Sequence, residues 1–333
     1  MALCAAAGVL TAASSQVDDD LTAQRRLFGK IGPGLRALKR GADGKYYVLA
    51  SPGLGLAIFD KQGKQLSVIE ESGAAGTGAP AAAVAGAKTG KAPIVFGEDC
   101  DVDQQGVIYV ADSGANAVQV LKDDGTLVKT IPVSGVVSVA ALPEGEIAVT
   151  TARQAVLVTV YGPDGRIARE FGNPEEVATR PELNRYLNLG RVSSDPQGRL
   201  YYGYTYMPEP LVRQYSRFGF AGQDFEFTGI DAYPEGSTLR KEIDRQDKRI
   251  DAPYFHPVLT AFGVDPVSGD VWMATHNTLL HFDHEGNRQS EYEIYAKDGV
   301  RLNANVILVE EDRLLIGGDP AGIYEFQRPD RRH

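Results

Sequence analysis

The sequence predicts an all-β fold: a six-bladed β-propeller whose blades are four-stranded antiparallel sheets. Three observations lead there. Degenerate copies of one unit recur along the chain, each holds short apolar runs bounded by Asp/Gly turns, and helical periodicity is nearly absent. The unit is clearest over Gln105–Gly125, QGVIYVADSGANAVQVLKDDG, which reads as two half-buried strands, a polar loop and an Asp-Gly turn.

Aligned on the turn glycines, the second strands of the six units are Tyr46–Ala50, Val107–Ala111, Glu146–Thr150, Arg199–Gly203, Asp270–Ala274 and Arg313–Gly317. Reverse-turn signals precede them, such as ADG at Ala42–Gly44, DQQG at Asp103–Gly106 and DPQG at Asp195–Gly198, while the sixth has only Glu310-Glu311-Asp312. First strands lie upstream (Val136–Ala141, Gly190–Ser194, Val306–Val309). Third strands lie downstream (Leu56–Asp60, Val118–Leu121, Leu279–Asp283), followed by fourth strands such as Gln65–Ile69. Repetition of this kind builds a propeller. The last unit lacks a fourth strand, whereas Thr22–Ile31 precedes the first unit without a partner there. It is expected to complete the sixth blade and close the ring, removing an exposed sheet edge.

Composition sets the outer limits. The 333 residues are 43% hydrophobic, with 37 Gly and 18 Pro, which suits one large turn-rich β domain over residues 17–330. A net charge of −10 disfavours nucleic acid or an anionic membrane as a partner. Residues 1–16, MALCAAAGVLTAASSQ, have the apolar length of a signal-peptide core, with small residues at Thr11 and Ala13 but no basic start. A periplasmic or secreted location is the expectation, with a disordered leader as the other reading. Without that leader Cys100 is the sole cysteine, so neither a disulfide nor a cysteine metal site can form. No other apolar run is long enough to span a bilayer, and a monomer is expected.

Strand order sorts the loops. The tight Asp/Gly turns share one face, and the blade-to-blade insertions, at about residues 72–92, 172–189 and 228–258, share the other. Long loops on a rigid scaffold are where binding residues gather. Ser72–Ala92 is Gly/Ala/Pro-rich and reads as flexible. Asn173-Pro174-Glu175-Glu176 reads as a helix start leading to about Leu187, with Pro181 as an interruption. Ser237–Arg249 reads as a charged helix with Leu239 and Ile243 on one face, a lid or a helix packed on the rim.

Candidate site residues fall into two groups. Glu98, Asp99 and Asp101, in the first strand of blade two, are a candidate metal set; carboxylate oxygens suit Ca²⁺ or another divalent cation, and solvated strand-end carboxylates are the plainer reading. Alternation places Asp99 and Asp101 on one side and Glu98 with Cys100 on the other. Cys100 aligns with Leu38, Val139, Val192 and Phe262, which marks it as a packing residue. The second group faces the long-loop side: Arg185, Tyr186, Arg191, Tyr204, Tyr206, His256 and His276, a mixture of aromatic faces, guanidinium and imidazole groups that suits a peptide, sugar or small anion. His281 and His284 are expected in solvent. No nucleophile elbow, phosphate loop, dinucleotide fingerprint or H-E-x-x-H helix is present.

VADSGANAVQVLKDDG (Val110–Gly125) resembles the NHL-repeat blade core, with Asn116 at the motif's second Asn and Ala117 where Arg is usual. LFGKIGPG (Leu27–Gly34) is similar to the family's blade lead-in. The resemblance is sharp in blade two alone and covers the rest as architecture. It implies a six-bladed propeller acting as an interaction module for a protein, peptide or glycan on its long-loop face. Two enzyme branches with this fold, lactonases holding a divalent cation and amidating lyases holding zinc with several histidines, give the alternative: a metal-dependent hydrolase or lyase centred at the channel mouth. Glu98 stands where the lactonase glutamate would be. The five histidines fit the lyase pattern poorly.

Overall fold

In the computed structural model, residues 19–331 are described, apart from residue 30, residues 73–93, residue 154, residues 231–233 and residues 250–252. The leader at 1–16 and all of the Ser72–Ala92 insertion but Ser72 therefore lie outside the described residues. Six antiparallel sheets stand around a central channel, and the first strands of neighbouring blades pack side by side to form its wall. The fold is the six-bladed β-propeller that the repeats predict.

Burial explains the strand sequences. Tyr46–Ala50, Ile108–Asp112, Leu200–Tyr204 and Val271–Thr275 are buried at every position, because each blade is packed by a neighbour on both faces. The half-buried strands expected at Gln105–Gly125 are thus covered on both sides. Outer strands such as Gln65–Ile69 and Ile167–Phe171 are largely exposed or half-exposed, as the rim requires. Cys100 is fully buried among Leu49, Ile58 and Val110, and burial pushes its thiol well above the ordinary range. It is a packing residue.

Ring closure combines an expected strand with an unexpected one. Arg25–Leu27 runs antiparallel to Gly322–Gln327 and supplies the missing fourth strand of blade six. It is shorter than Thr22–Ile31, because Asp19–Thr22 pairs in parallel with Arg288–Tyr295 and gives blade five a fifth strand. The two residues between divide their bonds: Ala23 N–H donates to the Tyr295 carbonyl at 2.9 Å, and Gln24 N–H to the Glu325 carbonyl at 2.8 Å. Leu21 and Ala23 bury their side chains in the core shared by blades five and six.

The tight turns hold themselves together. The Asp103 carboxylate accepts from the Gln105 and Val107 N–H groups, both at 2.9 Å, and Gly106 turns the chain at φ +80°. Asp60, Asp195 and Asp283 repeat this arrangement. The motif Asp112 does the same for a loop. Fully buried, it accepts from the Val95, Phe96 and Ala115 N–H groups at 2.8–3.0 Å and from the Gln119 amide. Asn116 sits at φ +51°, a backbone region that Asn tolerates better than most residues.

The insertion helices correct one expectation. No helix begins at Asn173; α1 spans Pro181–Leu187, with Pro181 in its first turn and Arg180 as N-cap. The preceding segment stays extended because Asn184 and Asn188 use their amides on its backbone. Asn188 Oδ1 accepts from Glu175 N–H at 2.7 Å, and Asn184 Oδ1 accepts from Val177 N–H at 2.9 Å. The second helix, α2 (Pro234–Asp247), packs Leu239 and Ile243 into the core beneath it. Its Asp247 carboxylate accepts from the Arg180 and Thr179 N–H groups, so the two helices are tied together on the rim.

Candidate functional site

The channel is a cavity of about 1300 Å³, walled by the six first strands. In four of those strands the register slips by one residue near the long-loop end, at Leu35/Ala37, Gly97/Asp99, Val136/Ser138 and Ala304/Val306. A bulge redirects the extra side chain. The extra residues are Arg36, Glu98, Val137 and Asn305, and all four line the cavity. Glu98 therefore joins Asp99 and Asp101 in the channel instead of lying with Cys100, as strict alternation would have it.

Each of the three carboxylates meets a cation from another blade: Glu98 and Asp101 from the adjacent blade one, Asp99 from blade four. Glu98 lies 3.5 Å from Arg36, Asp101 3.8 Å from Lys39, and Asp99 4.0 Å from Arg191. Ser113 Oγ donates to Glu98 at 3.0 Å. Ser138 Oγ donates to Asp99 and accepts from the Val192 N–H at 3.1 Å. The Ala141 and Val102 N–H groups donate to Asp101 at 2.9 and 3.0 Å. Arg36 and Arg191 are themselves anchored on backbone carbonyls, Arg36 Nε to Ser51 at 3.0 Å and Arg191 to Arg36 at 2.9 Å. Burial pushes the Asp101 carboxyl above its usual range. It would also lower Lys39, but Asp101 and Asp99 together hold the ammonium above its ordinary value.

The second group of candidates divides. Tyr206 lines the channel and packs on Tyr186, ring centres 4.8 Å apart, while Tyr186 also packs on Phe255 at 5.6 Å. Burial, with help from Tyr186, pushes the Tyr206 hydroxyl up to about 12, so it is a donor at neutral pH. Tyr204 is fully buried, edge-on to Tyr202, with the Arg213 guanidinium over its ring. Arg185 borders a much smaller pocket beside Thr151 and Leu157. His256 is exposed against Tyr254, and His276 sits in a turn at φ +57°; neither lines the channel. The structure thus brings Arg191 and Tyr206 together with Glu98, Asp99 and Asp101, with Tyr186 behind, and leaves the rest of the group outside. It adds Arg36, Lys39 and Ser138. The alignment of Leu38 with Cys100 was the signal for Lys39, which follows Leu38 as Asp101 follows Cys100; Arg36 faces the channel through its bulge, and Ser138 is buried behind the wall.

No protein-family model matches the chain, and no curated protein sequence does. Solved structures do. A catalytically inactive virginiamycin B lyase from Staphylococcus aureus, crystallised with quinupristin, aligns at TM-score 0.54 and 10% identity over 90% of this chain and 82% of that one. A calcium-binding regucalcin from Agrobacterium tumefaciens aligns at 0.56 and 11% identity over 93% and 95%. A chain of a nidogen/laminin complex aligns at 0.50 and 12% over 85% and 84%. The likeness is one of fold. The same propeller thus occurs in a lyase, a calcium-binding protein and a protein–protein complex, and function has to be argued from the site.

Chemically, the mouth offers alternating charges at fixed positions, a phenol donor and an aromatic wall. Asp270, His281 and Asp330 make up the one group of three or more His, Cys, Asp or Glu among the described residues whose ligand atoms lie within 4.8 Å of one another. It is not in the channel. His281 is also buried, stacked on Trp272 with ring centres 4.2 Å apart, where solvent exposure was expected; His284 is exposed as expected.

Proposed function

We propose that this protein is a binding propeller that takes a peptide, free or as a segment of a partner protein, at the long-loop mouth of its channel. The observation that carries this reading is the pairing of Glu98 and Asp99 with Arg36 and Arg191 at that mouth, continued by Asp101 and Lys39 further along the channel, towards its tight-turn end. A hard-cation site is built from carboxylates that converge on one point. Here the negative charges are instead set beside positive ones, which matches a ligand with both an ammonium and a carboxylate, or a chain of amide dipoles. Tyr206, backed by Tyr186 and Phe255, adds an aromatic wall of the kind that peptide side chains pack on. The NHL-like core at Val110–Gly125 points the same way, towards an interaction module. Export to the periplasm or beyond, resting on residues 1–16, belongs to this proposal too.

Calorimetric titration with pools of short peptides, and with oligosaccharides in parallel, tests it. Peptides are expected to bind, and Arg191→Met and Tyr206→Ala to weaken them about tenfold, roughly 1.4 kcal/mol each, without lowering the melting temperature. The metal-dependent hydrolase or lyase reading is supported by three carboxylates facing one channel. Stoichiometric Ca²⁺ uptake that disappears in Glu98→Gln, with lactone hydrolysis lost alongside it, would replace the binding module with that reading.

A further inference from the structure

Outside the channel, on the tight-turn face between blades five and six, Asp270, His281 and Asp330 bring their ligand atoms within 4.8 Å of one another. They come from three separate places: just before the second strand of blade five, the end of its third strand, and the turn Pro329–Arg331 that follows the third strand of blade six. His281 is only 5% exposed, and its Nε2 has no hydrogen-bond partner. That nitrogen lies 3.5 Å from Asp270 Oδ2. A buried ring nitrogen aimed at a carboxylate without a hydrogen bond is uncommon in a finished fold and calls for a ligand.

We propose that this corner is a binding site for a divalent transition-metal ion, with Zn²⁺ as the best match. One imidazole nitrogen with two carboxylates is a borderline donor set that suits Zn²⁺ better than Ca²⁺. The surroundings hold the donors in place. Trp272 stacks on the His281 ring with planes 11° apart and fixes its orientation. The His284 N–H donates to Asp270 Oδ1 at 3.0 Å, leaving Oδ2 towards His281. Arg328, fully buried, holds Asp330 through two nitrogens and Asp265 through another at 2.6 Å. The exposed His284, whose Nδ1 is 3.9 Å from Asp270 Oδ1, lies beside this group but is not part of it. The ion would join blade five to the chain segment that leaves blade six.

The chain has a single tryptophan, and it is the one against His281. Untagged full-length protein, stripped with EDTA, is titrated with ZnCl₂ by calorimetry and with CuCl₂ while Trp272 fluorescence is followed. One equivalent of Zn²⁺ per chain and quenching by Cu²⁺ are expected. His281→Gln should weaken uptake by about 10- to 100-fold or more. Because His281 is buried, the more exposed Asp330→Asn is tested beside it, with circular dichroism confirming that both are folded. Absence of stoichiometric uptake by the unaltered protein overturns the proposal, as does uptake that survives in both variants. Uptake lost in Glu98→Gln and kept in His281→Gln moves the metal into the channel and overturns it as well.

Discussion

At the tight-turn end of the propeller, Asp60, Asp103, Asp195 and Asp283 each turn a carboxylate oxygen to N–H groups two and four residues ahead. Inside the channel, Glu98, Asp99 and Asp101 face cations that lie tens of residues away in other blades. The two sets use one chemical group for two purposes. In the turns the carboxylate completes its own loop, so it recurs in blade after blade. In the channel it is matched to partners that no other blade repeats, and that irregularity marks the site.

One truncation and four substitutions act on these carboxylates and on the frame that holds them. Deleting residues 22–31 removes the closing strand Arg25–Leu27 and leaves the edge of Gly322–Gln327 unpaired; loss of a cooperative thermal transition and aggregation on size exclusion are expected. A truncated protein that melts as the full one does would rule out this closure. Arg328→Met comes next. It strands Asp265 without its guanidinium in a buried corner, and chemical denaturation should report a loss of about 3–5 kcal/mol. Burial would raise the Asp265 carboxyl, but Arg328 and the Val267 and Ser268 N–H groups hold it below the ordinary value. Its contribution is therefore present above about pH 4 and lost as pH falls, and the variant should show a shallower acid limb than the unaltered protein.

Asp112→Ala removes four accepted hydrogen bonds from a buried loop and should cost about 2–3 kcal/mol by denaturant titration. Lys39→Met sharpens the contrast between the two carboxylate sets. Asp101, already raised by burial, would lose its cation. A raised carboxyl favours the fold below the ordinary carboxylate range and less as pH rises. So this variant's stability deficit should shrink as pH falls from about 7 to 4, at a higher pH than the deficit of Arg328→Met, which shrinks only as the acid limb is reached. The smallest effect belongs to Arg217→Ala, which breaks an exposed pair with Glu144 and should change stability by about 0.5 kcal/mol or less.

The features legible in the sequence were those written locally. Turn aspartates, turn glycines and the Asp112 motif act on residues close by, so spacing alone revealed them. The closing strand was legible because the last blade was one strand short. Contacts that depend on how a segment folds back on its surroundings left no such trace. Asn173-Pro174 looks like a helix start until Asn184 and Asn188 hold the following residues extended. Glu98 seems to face the core until the bulge beside it is seen. His281 reads as a rim residue, and its burial against Trp272 depends on the fold of blade five as a whole. The parallel strand Asp19–Thr22 had no counterpart elsewhere in the repeat, so no alignment of blades could show it.

The seam between blades five and six also sets an order of events. Both blades borrow a strand from residues 19–27, yet their own strands are made after those of blades one to four. Residues 19–22 must therefore wait for their partner until residue 295 has been made, and residues 25–27 until residue 325 has. The two strands of the seam are held differently: Arg25–Leu27 by an antiparallel ladder, Asp19–Thr22 by a parallel one whose bonds are evenly spaced and slanted. Two weak strands, joined by Ala23 and Gln24, thus act as a clasp with a catch.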